Sequence, residues 1–263
     1  MKNFGIRILL AVVCIMIITM AAACGGNEVT NTLPDDSNNT TTTAPVINPT
    51  SDGDGSNAPV DANYFNDAAF VGDSVSLKLN YYCATTGDLG KAQFFTSGSL
   101  GAGNALWEVS DESVHPSYQG EKMLIEDCLA ASGAAKVYIM LGMNDIGLYG
   151  VDDTVANYET LMDRILAKCP DIQIIIQSMT PMTETSNILG DTLNNQSIKE
   201  YNGKLKTLAE ERGWGFVDVA SVMYDESGSQ LNAEYCSDPV DMGVHFTEAG
   251  CAAWIDYLKT HIV

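Results

Sequence analysis

From position 68 onward, short apolar runs alternate with stretches of helical spacing, and this alternation constrains the fold more than anything else in the chain. Strands are expected over 68–71, 91–96, 135–141, 172–178 and 214–219, and helices over 75–83, 121–131, 155–167, 198–211 and 248–261. The run Ile172-Gln173-Ile174-Ile175-Ile176-Gln177 is nearly all apolar, as a central parallel strand covered on both faces requires. Gly213 closes the fourth helix in the manner of a left-handed C-terminal glycine. Strands that alternate with helices form right-handed βαβ units and a parallel sheet. In such a sheet, ligands gather at the carboxyl ends of the strands.

Three polar, glycine-containing groups follow the ends of expected strands: Gly72-Asp73-Ser74, Ser97-Gly98-Ser99 and Gly142-Met143-Asn144-Asp145. Gly-Asp-Ser alone could be an ordinary turn with Ser74 capping the next helix. Three such groups at three strand ends point instead to a site. Ser74 would sit beside the unpaired N–H groups of a helix start, which favour developing negative charge. The surrounding residues are not a nucleophile elbow, because Ser76 stands where that motif needs its second glycine. They are not a phosphate loop either, since no Gly-Lys-Ser/Thr follows. A serine nucleophile needs a base, and the chain has three histidines. His115 lies in an irregular acidic loop and His261 is two residues from the end, whereas His245 directly precedes the last helix.

The first 23 residues read as a targeting segment, with Lys2 and Arg7 flanking a short start and an apolar run over 8–20. Ala21-Ala22-Ala23-Cys24 resembles a bacterial lipobox, with Cys24 as the lipidated residue and Ala21 in the usual leucine position. Residues 24–60 are rich in Asn, Thr, Asp, Ser, Gly and Pro, with five acidic residues and no basic one, and are expected to be a disordered tether. The expected organisation is a signal peptide over 1–23, a lipidated tether over 24–60 and a catalytic domain over 61–263. The protein would then be extracytoplasmic, anchored to the bacterial membrane through Cys24 only.

The whole chain carries a formal charge of −21; without Lys2, Arg7 and the five tether acids the domain keeps 11 basic and 29 acidic residues, a net of −18. That field disfavours nucleic acid and anionic lipid headgroups as partners. Five cysteines fall in the domain (Cys83, Cys128, Cys169, Cys236 and Cys251), with no CxxC pair and no zinc spacing. An odd count leaves at least one thiol free within a monomer.

Over 65–263 the chain resembles the SGNH hydrolases, also called the GDSL esterase/lipase family. Gly72-Asp73-Ser74 is similar to the nucleophile block, Gly142-Met143-Asn144-Asp145 to the Gly-x-Asn-Asp block, and the segment from Asp241 to His245 to the block carrying the base. The resemblance implies a flavodoxin-like three-layer α/β sandwich, with a five-stranded parallel sheet between helices. It also implies a Ser-His-(Asp) acyl-enzyme mechanism: Ser74 as nucleophile, His245 as base, and an oxyanion hole of the Ser74 N–H, the Gly98 N–H and the Asn144 side chain. Gly101 is the fallback for Gly98. The family's acid stands three residues before the histidine, where this chain has Met242; Asp241 is the expected replacement, with Asp238 or a backbone carbonyl as alternatives. Asp73 and Asp145 are expected to hold their loops by accepting backbone N–H bonds. No metal or organic cofactor is expected. The implied substrate is an acylated carbohydrate or small ester, with a lipase, an O-acyltransferase or a catalytically silent glycan-binding protein on the same scaffold as rivals. No long apolar insertion of the lid type separates the blocks.

Overall fold

A computed structural model describes residues 58–184, 186 and 192–263. The expected signal peptide, Cys24 and nearly all of the expected tether lie outside the described residues. Within them the sheet has five strands: β1 (Ala68–Gly72), β2 (Gln93–Thr96), β5 (Lys136–Met140), β6 (Gln173–Gln177) and β7 (Gly215–Val217). They run all parallel in the order β2-β1-β5-β6-β7. Strand β1 therefore pairs with the next main strand on one side and with β5 on the other. The crevice between the carboxyl ends of β1 and β5 is the topological switch point, where open α/β sheets bind ligands.

Helices α1 (Ser74–Thr86) and α6 (Glu248–Thr260) pack together, while α3 (Ile125–Ser132), α4 (Ile146–Lys168) and α5 (Asn195–Arg212) form a second packed group. The three central strands are buried along nearly their whole length, β1 and β5 at every residue. Register explains part of that packing. Phe70 stands opposite both Phe94 and Tyr138, and its ring stacks on each of them at 5.1 and 4.8 Å between centroids. Such pairs contribute roughly 0.5–1.5 kcal/mol each beyond their burial.

All five expected strands and all five expected helices are present, with shifted ends. The helix expected from 121 begins at Ile125, because Glu121–Lys122 (β4) pair antiparallel with Ser117–Tyr118 (β3) across a Gln119-Gly120 turn in which both residues have positive φ. The helix expected from 155 already begins at Ile146; its break at Gly150, where φ is 78°, interrupts the apolar spacing. The single-turn helix α2 (Ala102–Ala105) has no periodicity to announce it. The Val60 N–H donates to the Lys259 carbonyl at the end of α6, so the last residue of the segment expected to be tether is bonded to the domain.

Candidate active site

The site is built on the β1–α1 junction. Asp73 is extended and caps α1, its Oδ1 accepting the Val75 N–H at 2.9 Å. Ser74 is thereby the first helical residue, with its own N–H among the donors that helix geometry leaves unpaired. Burial pushes the Asp73 carboxyl up to about 6, despite the opposing bond from Val75 and the nearby His245 ring.

Two other strand-end loops close on this junction. After β2, the Ser97 N–H donates to the Gly72 carbonyl and the Leu100 N–H to Ser97, making a tight turn with Ser99 at φ 61°. After β5, the Asn144 Nδ2 donates to the Leu100 carbonyl at 3.0 Å and, at 3.4 Å, to Asp73 Oδ2. One amide thus joins the Gly142–Asp145 group to Asp73 and to Leu100, the residue that follows Ser97-Gly98-Ser99. Asp145 is buried and accepts the Ala102 and Gly103 N–H groups at 2.9 and 2.8 Å. Burial raises its pKa, and those two bonds oppose the rise. Asp73 therefore binds backbone locally, as expected, whereas Asp145 reaches across more than forty residues to hold α2.

Gly98 is exposed, with nothing near the place a Cβ would occupy. The Gly101 N–H is already donated to Asn104 Oδ1 at 2.8 Å, and a Cβ on Gly101 would lie 2.5 Å from the Asp145 carboxylate. Of the two glycines, Gly98 is the one not committed to its own loop.

His245 reaches the serine: its Nε2 lies 2.8 Å from Ser74 Oγ. Its Nδ1 lies 2.6 Å from Asp238 Oδ2. Asp238, rather than the expected Asp241, is the carboxylate in contact. Two arms of the loop pair as a short hairpin, with Cys236 bridged to Phe246 and the Ser237 N–H donating to the His245 carbonyl. That pairing returns the chain so that Asp238 faces His245, and Asp238 Oδ1 also accepts the Val244 and His245 N–H groups, both at 3.1 Å. Asp241 sits exposed at the tip of the excursion, its own N–H donating to the Asp238 carbonyl. Burial alone would raise the Asp238 pKa, but its bonds to His245 outweigh it and hold the carboxyl below the usual range. An ionised carboxylate only accepts, so Nδ1 carries the imidazole proton and Nε2 can receive one from Ser74.

The other two histidines are engaged elsewhere. His115 is buried against Ser113 Oγ and the Ala105 carbonyl, and His261 stacks on Tyr257. All five domain cysteines are free thiols. Burial pushes Cys83 up to about 12 and Cys128, Cys236 and Cys251 up to about 11, so they are poor nucleophiles at neutral pH.

A serine hydroxyl bonded to an oriented imidazole, at the switch point of a parallel α/β sheet, defines an ester-cleaving serine hydrolase. Residues 70–253 match the family described as GDSL-like Lipase/Acylhydrolase, and the chain belongs to that family. No curated protein gives a significant match. Among solved structures, the chain is similar to a GDSL-like lipase from Bacteroides thetaiotaomicron VPI-5482, at 19% identity and TM-score 0.53 over 73% of this chain and 85% of that one. It is also similar to a protein from Streptococcus pneumonia provisionally described as a platelet activating factor, at 22% identity and TM-score 0.55 over 75% and 87%. At these identities the likeness speaks for the fold alone.

Proposed function

We propose that the protein is an extracytoplasmic esterase that removes small acyl groups, such as acetyl, from a carbohydrate or cell-wall polymer. The contact of Ser74 Oγ with His245 Nε2 at 2.8 Å carries the catalytic part of this reading. The apolar leader with Cys24 and the polar stretch behind it support a location outside the membrane. The acidic domain argues against anionic partners.

In the proposed mechanism, Ser74 Oγ attacks the ester carbonyl as His245 Nε2 takes its proton. Asp238 holds the Nδ1 proton and stabilises the imidazolium. The tetrahedral oxyanion is received by the Ser74 N–H, the Gly98 N–H and the Asn144 amide. Asn144 keeps one N–H on Leu100 and turns the weakly held one, 3.4 Å from Asp73, to the oxyanion. A donor of this kind contributes about 3 kcal/mol to the transition state. His245 then protonates the leaving alcohol, and water resolves the acyl-enzyme by the same steps in reverse.

The test is hydrolysis of p-nitrophenyl acetate, butyrate and octanoate by the protein and by Ser74→Ala. Activity on acetate that vanishes in the variant is expected. A rate equal to the variant's would overturn the esterase reading, and a strong preference for octanoate would turn it toward a lipase.

A further inference from the structure

Strand order sets a problem that the oxyanion donors must solve. Gly98 follows β2 and Asn144 follows β5, and these strands stand on opposite sides of β1, which leads into Ser74. Two strand spacings, about 10 Å, separate them, so the sheet relates their loops only through β1. The loops are instead bonded to each other. Asn144 Nδ2 donates to the Leu100 carbonyl at 3.0 Å. The next residue, Asp145, accepts the Ala102 and Gly103 N–H groups at 2.9 and 2.8 Å, one on each carboxylate oxygen. On its other flank the Gly98 loop is pinned at Ser97, whose N–H donates to the Gly72 carbonyl. Tyr149, at the start of α4, lies against Gly103, where a Cβ would be 2.6 Å from its ring.

Capping α2 would not by itself call for a carboxylate from so far along the chain. A Ser, Asp or Asn at position 101 could satisfy the first N–H groups of that turn locally. Gly101 is extended there, at φ −137° and ψ 169°, a conformation open to any residue, and it makes no side-chain cap. A Cβ on it would lie 2.5 Å from Asp145 Oδ2. The chain thus forgoes the local cap and brings in a buried carboxylate from the loop of Asn144, although burial works against its charge. Resting on the oxyanion assignment proposed above, we infer that Asp145 is a positioning residue of the oxyanion hole: it ties the loop of Gly98 to the loop of Asn144 and so sets the spacing of two donors that come from opposite sides of β1. The tie needs an acceptor on both oxygens, which the ionised carboxylate supplies and an amide does not. An oxyanion hole works because its donors are placed before the charge develops, so a change in their spacing acts on the transition state more than on substrate binding.

The experiment compares the full chain with Asp145→Asn, Asp145→Ala and the double variant Asp145→Ala/Gly101→Asp. The double variant returns a carboxylate to the start of α2 from its own position in the chain and cuts the tie to the Asn144 loop. The measurements are kcat and KM on p-nitrophenyl acetate, the melting temperature, and amide hydrogen exchange over 97–103. A fourth is Ki for a trifluoromethyl ketone, to which Ser74 Oγ adds as its proton passes to His245, leaving a tetrahedral oxyanion. In Asp145→Asn an NH2 faces one of the two N–H groups. Its kcat should fall about 10- to 100-fold, with KM within about threefold, Ki raised in step with the loss of kcat, and faster exchange over 97–103. The double variant should recover most of the melting temperature lost in Asp145→Ala, with kcat still about 10-fold down or more. Recovery of kcat together with stability would make Asp145 an ordinary cap and overturn the proposal. So would a folded Asp145→Asn with kcat and Ki unchanged, or a loss through KM alone. Nitrophenyl acetate hydrolysis no faster than by Ser74→Ala would refute the esterase reading separately, and exchange over 97–103 would still decide whether Asp145 fixes that loop.

Discussion

Replacing Asp238 by Asn tests the orientation of the base with little disturbance of the fold. The side chain makes two kinds of bond: Oδ1 accepts the Val244 and His245 N–H groups, and Oδ2 meets His245 Nδ1 at 2.6 Å. An asparagine keeps its oxygen for the backbone donors and places its NH2 against Nδ1. Two donors cannot face each other, so the imidazole shifts its proton to Nε2 and loses the lone pair that Ser74 needs. The same change of tautomer in a serine protease lowers kcat about 10⁴-fold. A loss of about 10³ to 10⁴ is expected here, equivalent to roughly 4–5.5 kcal/mol of barrier. Asp241→Asn, at an exposed position with no side-chain contact to His245, should stay within about twofold of wild type. The assay is kcat/KM on p-nitrophenyl acetate near neutral pH, with circular dichroism melts showing that both variants fold. A loss below tenfold in Asp238→Asn, or a greater loss in Asp241→Asn, would refute the reasoning.

Other consequences concern the residues around the serine. Because burial raises the Asp73 carboxyl to about 6 in the folded protein, above its unfolded value, its charge costs stability above pH 6, and that cost fades as the pH falls toward 4. Asp73→Asn keeps a competent cap and removes the charge, so it should raise stability by on the order of 2 kcal/mol at pH 8, with a much smaller gain at pH 4.5; equal gains at both pH values in denaturant titrations would contradict the account. Gly101→Ala should cost about 1–3 kcal/mol, since its Cβ meets the Asp145 carboxylate, while Gly98→Ala should leave the melting temperature within a degree or so. Asn144→Ala should lower kcat about 10²- to 10³-fold with a smaller effect on KM, and an effect confined to KM would count against an oxyanion role.

The strands and the long helices were legible because burial writes itself into spacing. Ile172 to Ile176 could only be a covered strand, and Tyr158, Leu161, Met162 and Ile165 mark one buried face of α4. The serine and its histidine were legible because their residue types are scarce at strand ends. Asp238 was not, because sequence distance is a poor guide inside a hairpin. Asp241 is nearer to His245 along the chain, but pairing of Ser237 with His245 makes Asp238 the neighbour. A signal was present, in that Asp238-Pro239 and Gly243 bracket a reversal, and Gly243 takes a φ of 63°. Helix α2 and its clamp on Asp145 were hidden for a different reason. A single turn has no period, and a bond across more than forty residues leaves no local trace.

The bond between Val60 and Lys259 bears on how the enzyme faces its surroundings. Helix α6 starts just after His245, at the rim where the strands end, and runs back to the opposite pole, where Lys259 meets the incoming chain. The polypeptide therefore joins the domain at its base, with the length of the sheet between that point and Ser74. An extension fused directly ahead of Val60 therefore enters the domain at the end of the sheet opposite Ser74.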